Sequence, residues 1–167
     1  MLGQFTNKAL AHADLQRTYN WDVQLPDVGG FDGNQIAMFV QDVGFSDYNL
    51  DDLFTLRHGA LQTHAAGYFS ISTVTMTFLC PTNSLVTSYF SAWKSLMFDV
   101  NSLCYFPKAN YAMPYAYVNL YDNTGGMVAQ YLLKNIFPKT FPKFKLSYSE
   151  QEMLKFDIEF SVDFINY

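Results

Sequence analysis

The chain has 167 residues, a net charge of −5 and an isoelectric point near 4.9. That length suits one domain, and a compact fold of this size buries about 70% of the surface its unfolded chain exposes, so the core needs no staple. The acidic balance argues against a protein that grips nucleic acid through clustered Lys and Arg, and no apolar run approaches the ~20 residues of a membrane anchor.

Half the residues are hydrophobic, with 16 Phe and 12 Tyr, while only 15% are charged, against roughly 25% in an ordinary soluble domain. This surplus of apolar surface has two compatible destinations. One is a well-packed β-core, since aromatic residues favour strands. The other is contact with further subunits, where Tyr and Phe are enriched and Lys and Glu depleted. Residues 1–17 lack the apolar core and cleavage site of a signal peptide. Cys80 and Cys104 belong to no Cys-rich framework, which reads as two reduced thiols in a cytosolic chain.

Residues 1–20 are polar and read as an N-terminal arm. Trp21–Leu25 then alternates apolar and polar residues, the period of a half-buried strand. Pro26 and the Gly/Asp-rich stretch 27–34 end it as a turn, and Ile36–Gln41 is expected to return as the second strand of a hairpin. Residues 43–67 keep neither period and read as a long loop leaving the sheet. One end is acidic (Asp47, Asp51, Asp52) and the other basic (Arg57, His58, His64); loops of such length in compact domains are commonly functional. Tyr68–Leu79 follows as a long strand, with Thr73, Thr75 and Thr77 on a partly buried face.

Pro81-Thr82-Asn83 is a helix-start signature in which Thr82 or Asn83 can cap free N–H groups. Leu85, Tyr89 and Leu96 recur at helical spacing up to Met97, Phe90 and Trp93 widen the stripe, and this face should lie against the sheet. After an irregular link, Tyr115–Tyr121, the turn Asp122–Gly126 and the strand Met127–Phe137 form a hairpin. In the last segment Leu154, Phe156, Ile158, Phe160, Val162 and Phe164 alternate with Lys155, Asp157, Glu159, Ser161 and Asp163. Phe144, Leu146 and Tyr148 supply a matching apolar face. Pairing Leu146 with Phe156 sets Lys145 opposite Asp157 and Lys143 opposite Glu159. The sum is an α+β, mainly β fold: an antiparallel sandwich or barrel of about seven strands with one main helix packed outside, in a single domain spanning 1–167.

Catalytic chemistry finds little support. Arg57-His58-Gly59 matches the opening of a histidine-phosphatase signature, but that chemistry needs a second histidine far downstream, and the only later one is His64. His12, His58 and His64 fit no standard zinc spacing. Asp51 and Asp52 are adjacent, which in a strand sends them to opposite faces. Neither a phosphate-binding glycine loop nor a nucleophile elbow is present. No catalytic residue, metal or cofactor is expected.

Several features together resemble the tail-tube proteins of contractile-tailed phages. They are the arm, the W-x-V-x-L-P strand (Trp21–Pro26), the polar loop before a Thr-rich strand and the helix with Phe90 and Trp93. The Asn135, Phe137, Pro138 step and the alternating close within Ile136–Tyr167 complete the set. Gly59–Gly67 matches no family motif. The resemblance implies homohexameric rings whose sheets join across subunits into one barrel, stacked into a tube that conducts DNA without binding it specifically. It further implies a tail sheath protein, a tape-measure protein and a baseplate as partners, and a place in the virion after assembly in the host cytoplasm. A baseplate tube initiator, or a tube subunit of the R-pyocin or type VI kind, fits the same pattern. Within that frame, loop 43–67 becomes the candidate for ring stacking, and Asp157, Glu159 and Asp163 become candidates to line the lumen. A reading from another class is a monomeric barrel enclosing a small apolar ligand.

Overall fold

A computed structural model of the chain describes residues 18, 20–46, 49–51, 54–65, 68–70, 73–143 and 153–166. Chain order begins with β1 (Trp21–Gln24), the short helix α1 (Gly33–Ala37) and β2 (Val40–Phe45). Four short strands follow: β3 (Asn49–Asp51), β4 (Phe54–His58), β5 (Leu61–Ala65) and β6 (Tyr68–Ser70). Next come β7 (Thr73–Leu79), the main helix α2 (Leu85–Met97), the small pair β8 (Phe98–Asp99) and β9 (Cys104–Tyr105), and α3 (Lys108–Tyr111). The chain closes with β10 (Met113–Tyr121), β11 (Met127–Pro138), β12 (Lys155–Ser161) and β13 (Phe164–Asn166). The fold is mainly β with few helices, as the alternation and turn signals imply.

Seven strands form one antiparallel sheet in the order β1-β10-β11-β12-β7-β2, with β13 also on β11. β11 is the joint. Most of its length pairs with β10, and its last residues, Phe137 and Pro138, pair with Ser161 and Phe160 of β12. Both halves contribute to one hydrophobic core, Val23, Val118 and Leu133 from one and Val74, Met76, Phe78, Phe156, Ile158 and Phe160 from the other.

Helix α2 closes that core. Asn83 provides the start, its side-chain oxygen accepting from the Leu85 N–H at 3.1 Å, while Ser84 takes a left-handed turn at φ 56°. Val86, Tyr89, Phe90 and Trp93 are fully buried, with Leu85 and Leu96 partly buried at the margin. Phe90 meets Phe78 edge-on at 5.1 Å, and Trp93 lies 6.0 Å from Phe160. Each such ring adds about 1.5–3 kcal/mol by burial and more through edge-to-face geometry. The two polar tips are satisfied: Tyr89 Oη donates to the Pro26 carbonyl and Trp93 Nε1 to the Tyr111 carbonyl, both at 2.8 Å.

The second hairpin is as anticipated. Asp122 Oδ1 accepts from the N–H groups of Thr124 and Gly126, and Gly125 supplies the positive φ (85°) that the turn requires.

Four expectations need correction. Ile36–Gln41 is not the return strand of a hairpin. Asp27 and Asp32 accept from the Gly33 and Asn34 N–H groups and wind that stretch into α1, with Ile36 fully buried. β2 starts only at Val40 and pairs with β7, while β1 pairs with β10. The strand expected over Tyr68–Leu79 is divided, its first three residues pairing with β3 and Thr73–Leu79 belonging to the main sheet.

The final strand is also divided. Asp163 N–H donates to the Lys134 carbonyl, and the side-chain alternation inverts there, so Ile165 is buried and Phe164 is 53% exposed. Last, Lys143 does not oppose Glu159. The Glu159 carbonyl accepts instead from the backbone N–H groups of Lys139 and Thr140, and the far side of β12 is taken by β7. The pairings of Lys145 and Leu146 fall outside the described residues.

Candidate assembly surfaces

Four surfaces stand apart from the core. The first is the outer face of β7 and β12, whose register sets Asp157 beside Thr77, Glu159 beside Thr75 and Ser161 beside Thr73. The period-2 pattern that buries Phe156, Ile158 and Phe160 turns these polar residues outward. Thr77 Oγ1 donates to Asp157 Oδ1 at 2.6 Å. Glu159 is ion-paired with Lys139 at 3.1 Å, and the bond from that ammonium, then one from Thr73, holds its carboxyl below the usual range. Asp163 lies past the bend, off this alternation. Lys108 grips both its oxygens at 2.5 and 2.6 Å, with Asn135 Nδ2 on one of them, and Lys108 first and Asn135 second lower its pKa. Of the three acids singled out by pattern, only Asp157 has no cationic partner among the described residues. Lys108 and Lys139 were not legible as their partners, since one lies 55 positions away across a turn and the other in a connector.

The second surface is the excursion over residues 49–70. Its backbone is a paired ladder rather than a loop: β3 pairs with β6, and β4 with β5 around Gly59, which has φ +61°. Neither pair joins the seven-stranded sheet. The β4–β5 register places Arg57 across from Gln62, His64 across from Thr55 and His58 across from Leu61. Asp51 lies on β3; Asp47 and Asp52 fall outside the described residues.

The third is a cleft of about 660 Å³ where the two ends of the sheet order meet. Trp21, Asp22 and Val23 of β1 form one wall, and Met38, Val40 and Asp42, at the start of β2, form the other. Asp22 is held by Asn119 Nδ2 at 2.7 Å and Tyr121 Oη at 2.9 Å. Met38 is 82% exposed at the rim. Sequence reasoning missed this site, because it paired Trp21–Leu25 with Ile36–Gln41 as a hairpin, whereas β1 pairs with β10 and β2 with β7 and a cleft is left between them.

The fourth is the β8–β9 knob beyond α2, where Val100, Leu103 and Tyr105 are exposed and Leu103 sits at φ 54°. A left-handed backbone is unusual for so bulky a residue.

Among the described residues no group of three or more His, Cys, Asp or Glu comes together, and no helix is long and apolar enough to cross a membrane. Cys80 and Cys104 are free thiols.

The described residues thus form a seven-stranded antiparallel sheet folded around one aromatic helix, with β1 and β2 at the two ends of its strand order. No family model and no curated protein matches the sequence. Solved structures do. The chain is similar to the PVC extracellular contractile injection system sheath/tube terminator in its extended state, with a TM-score of 0.68 and 15% identity over 93% of this chain and 97% of that one. It is similar to the PVC sheath–tube complex in its extended state (TM-score 0.66, 14% identity, 95% of each chain). It also resembles the tube-terminating cap of the anti-feeding prophage (0.65, 15%, 91% and 89%). The chain thus has the fold of the tube and tube-terminator proteins of contractile injection systems.

Proposed function

We propose that this chain is the inner-tube subunit of a contractile tail of phage type, with six copies per ring and rings stacked into a conduit for DNA. It is a structural component of the virion, assembled in the host cytoplasm, without catalytic activity. The observation that carries this reading is the open sheet: β1 and β2 end the strand order, and each pairs on one side only among the described residues. An unpaired edge is a template for another chain, and rotational symmetry turns that hazard into a closed ring. The likeness to tube and terminator structures over more than nine-tenths of the chain supports it.

The outer face of β7 and β12 faces the lumen in this reading. Thr75, Thr77 and Asp157 then present hydroxyls and negative charge to passing DNA, while the nearby cation Lys139 is engaged by Glu159. Such a wall repels phosphates or ignores them, as a conduit requires. The ribbon of β3–β6 reaches between rings, and a sheath, a tape-measure protein and a baseplate complete the apparatus. Helix α2 fills the centre of the domain with Tyr89, Phe90 and Trp93, which leaves the small-ligand barrel little room.

The similar structures include a tube-terminating cap and a sheath/tube terminator, which supports one second reading: a ring that ends a tube and does not extend it. Negative-stain imaging of purified protein decides. Long tubes support the subunit reading, single rings the terminator, and a strict monomer at high concentration overturns both. Arg57→Glu in the ribbon is expected to leave rings intact and abolish stacking; normal tubes from that variant would remove the ribbon from the ring-to-ring joint.

A further inference from the structure

Two exposed apolar patches lie at opposite ends of the β10–β11 hairpin. At one end, the β8–β9 knob leads through α3 into Met113, the first residue of β10. At the other, the turn projects past its neighbours, because β1 pairs no farther than Leu120 and β13 no farther than Leu132. Met127 and Val128 are exposed there. The nine residues of β10 set the two patches roughly 25–30 Å apart, at ~3.3 Å per residue. One chain cannot bring them together.

The knob is built to hold its shape. Asp99 accepts from the Asn101 N–H at 3.0 Å and from Ser102 Oγ at 2.6 Å. The Phe106 N–H donates to the Met97 carbonyl at 3.0 Å, and the rings of Phe98 and Tyr105 lie 5.0 Å apart. That frame keeps Val100, Leu103 and Tyr105 in solvent, and clustered apolar surface of this kind marks a contact site. Between the knob and the exposed Ser91, Lys94 and Ser95 of α2 runs a groove of about 410 Å³, room for a few side chains. Charge complements shape. Lys94 lies over the Phe141 ring at 5.7 Å and has no carboxylate partner among the described residues. Asp122, at the hairpin tip, has no cationic partner among them, whereas Asp99 in the groove is taken up by its own turn. Opposite charges across an interface fix register and suppress wrong partners.

We infer that the β10–β11 tip of one copy docks in the groove between α2 and the knob of a second copy, with Met127 and Val128 against Val100, Leu103 and Tyr105, and Asp122 toward Lys94. A contact between opposite ends of a protomer is heterologous, so it propagates head to tail. It runs along the strands, whereas the β1 and β2 edges extend the sheet across them. Edges that close a ring therefore leave this direction for the next ring. The inference rests on the tube reading and gives its ring-to-ring joint a second contact beside the ribbon.

Paired cysteines test it on the full chain. In a Cys80→Ala/Cys104→Ser background, a chain carrying both Val100→Cys and Val128→Cys should give a ladder of covalent multimers on oxidation. The two thiols are too far apart to bridge within one chain. Val128→Cys with Lys155→Cys is the control, and a ladder no stronger than the control's overturns the inference. Charge supplies the second arm. Lys94→Glu should raise the protein concentration needed for tube formation about tenfold or more. Asp122→Asn keeps the acceptor oxygen of the turn and, added to Lys94→Glu, should recover part of that loss by removing the like-charge contact. Tubes from wild-type protein with no ladder from the paired cysteines, or with Lys94→Glu assembling unchanged, sink this joint and leave the tube reading standing. Wild-type protein that stays monomeric or stops at single rings sinks the joint together with the subunit reading.

Discussion

The α2-centred body and the β3–β6 ribbon are both antiparallel β-structure, yet they depend on different things. In the body, Phe78 of β7 and Phe156 and Phe160 of β12 meet aromatic side chains from α2, and the polar tips of Tyr89 and Trp93 end on backbone carbonyls. In the ribbon, a backbone ladder of similar register pairs with nothing but itself among the described residues. The body is stable through burial within one chain; in the proposed tube the ribbon draws its stability from what it meets. The same hydrophobic substitution should therefore read out in unfolding in one region and in assembly in the other.

Trp93→Ala presses hardest on the body side. Removing a fully buried indole should cost about 3–5 kcal/mol, visible as a large fall in the urea midpoint of unassembled protein; a loss below ~1 kcal/mol would refute the account of the core. Gly33→Ala comes next. A Cβ there would lie 2.1 Å from the Leu25 carbonyl oxygen, so α1 and β1 must separate, at about 1–3 kcal/mol in the same denaturation experiment.

Acid probes the margin between the two regimes. Glu159 and Asp163 have carboxyls lowered by Lys139 and Lys108 respectively. The stability each adds is therefore fully present above the ordinary carboxylate pKa of about 4 and fades as pH falls through the lowered native values. Both pairs are solvent-exposed, so each is worth only about 0.5 kcal/mol or less. Lys139→Ala should flatten the dependence of melting temperature on pH below about 4 and leave it unchanged at pH 7 to within that small amount. Smallest of all, Leu56→Ser in the ribbon should leave the urea midpoint of unassembled protein unchanged while weakening stacking seen by sedimentation. A large loss of protomer stability would show that the ribbon belongs to the body after all.

What could be read from the sequence follows the same division. The β10–β11 hairpin is announced by Asp122–Gly126, and α2 by Asn83 and the Tyr89–Trp93 stripe, because turns, caps and helical faces are encoded within a few residues. The partner of β12 is not. Lys155–Ser161 states which residues face inward, but its partner β7, whose paired residues run from Lys155 with Leu79 to Ser161 with Thr73, is remote in sequence and is chosen by three-dimensional packing. The inversion at Asp163 escaped because an uninterrupted alternation hides a bend made by one backbone bond to Lys134. The ribbon escaped because Gly, Ala and His blur its period, and the cleft because its walls meet only once the sheet is folded.

The two tryptophans of the chain fall one in each kind of place. Trp93 is sealed between α2 and the sheet, while Trp21, its Nε1 donating to the Thr18 carbonyl at 2.9 Å, lines the cleft. Intrinsic fluorescence therefore carries two separable signals without any label. Emission from Trp93 follows unfolding of the protomer, and emission from Trp21 follows the wetting or filling of the cleft, so a Trp93→Phe chain would report joining of subunits in real time.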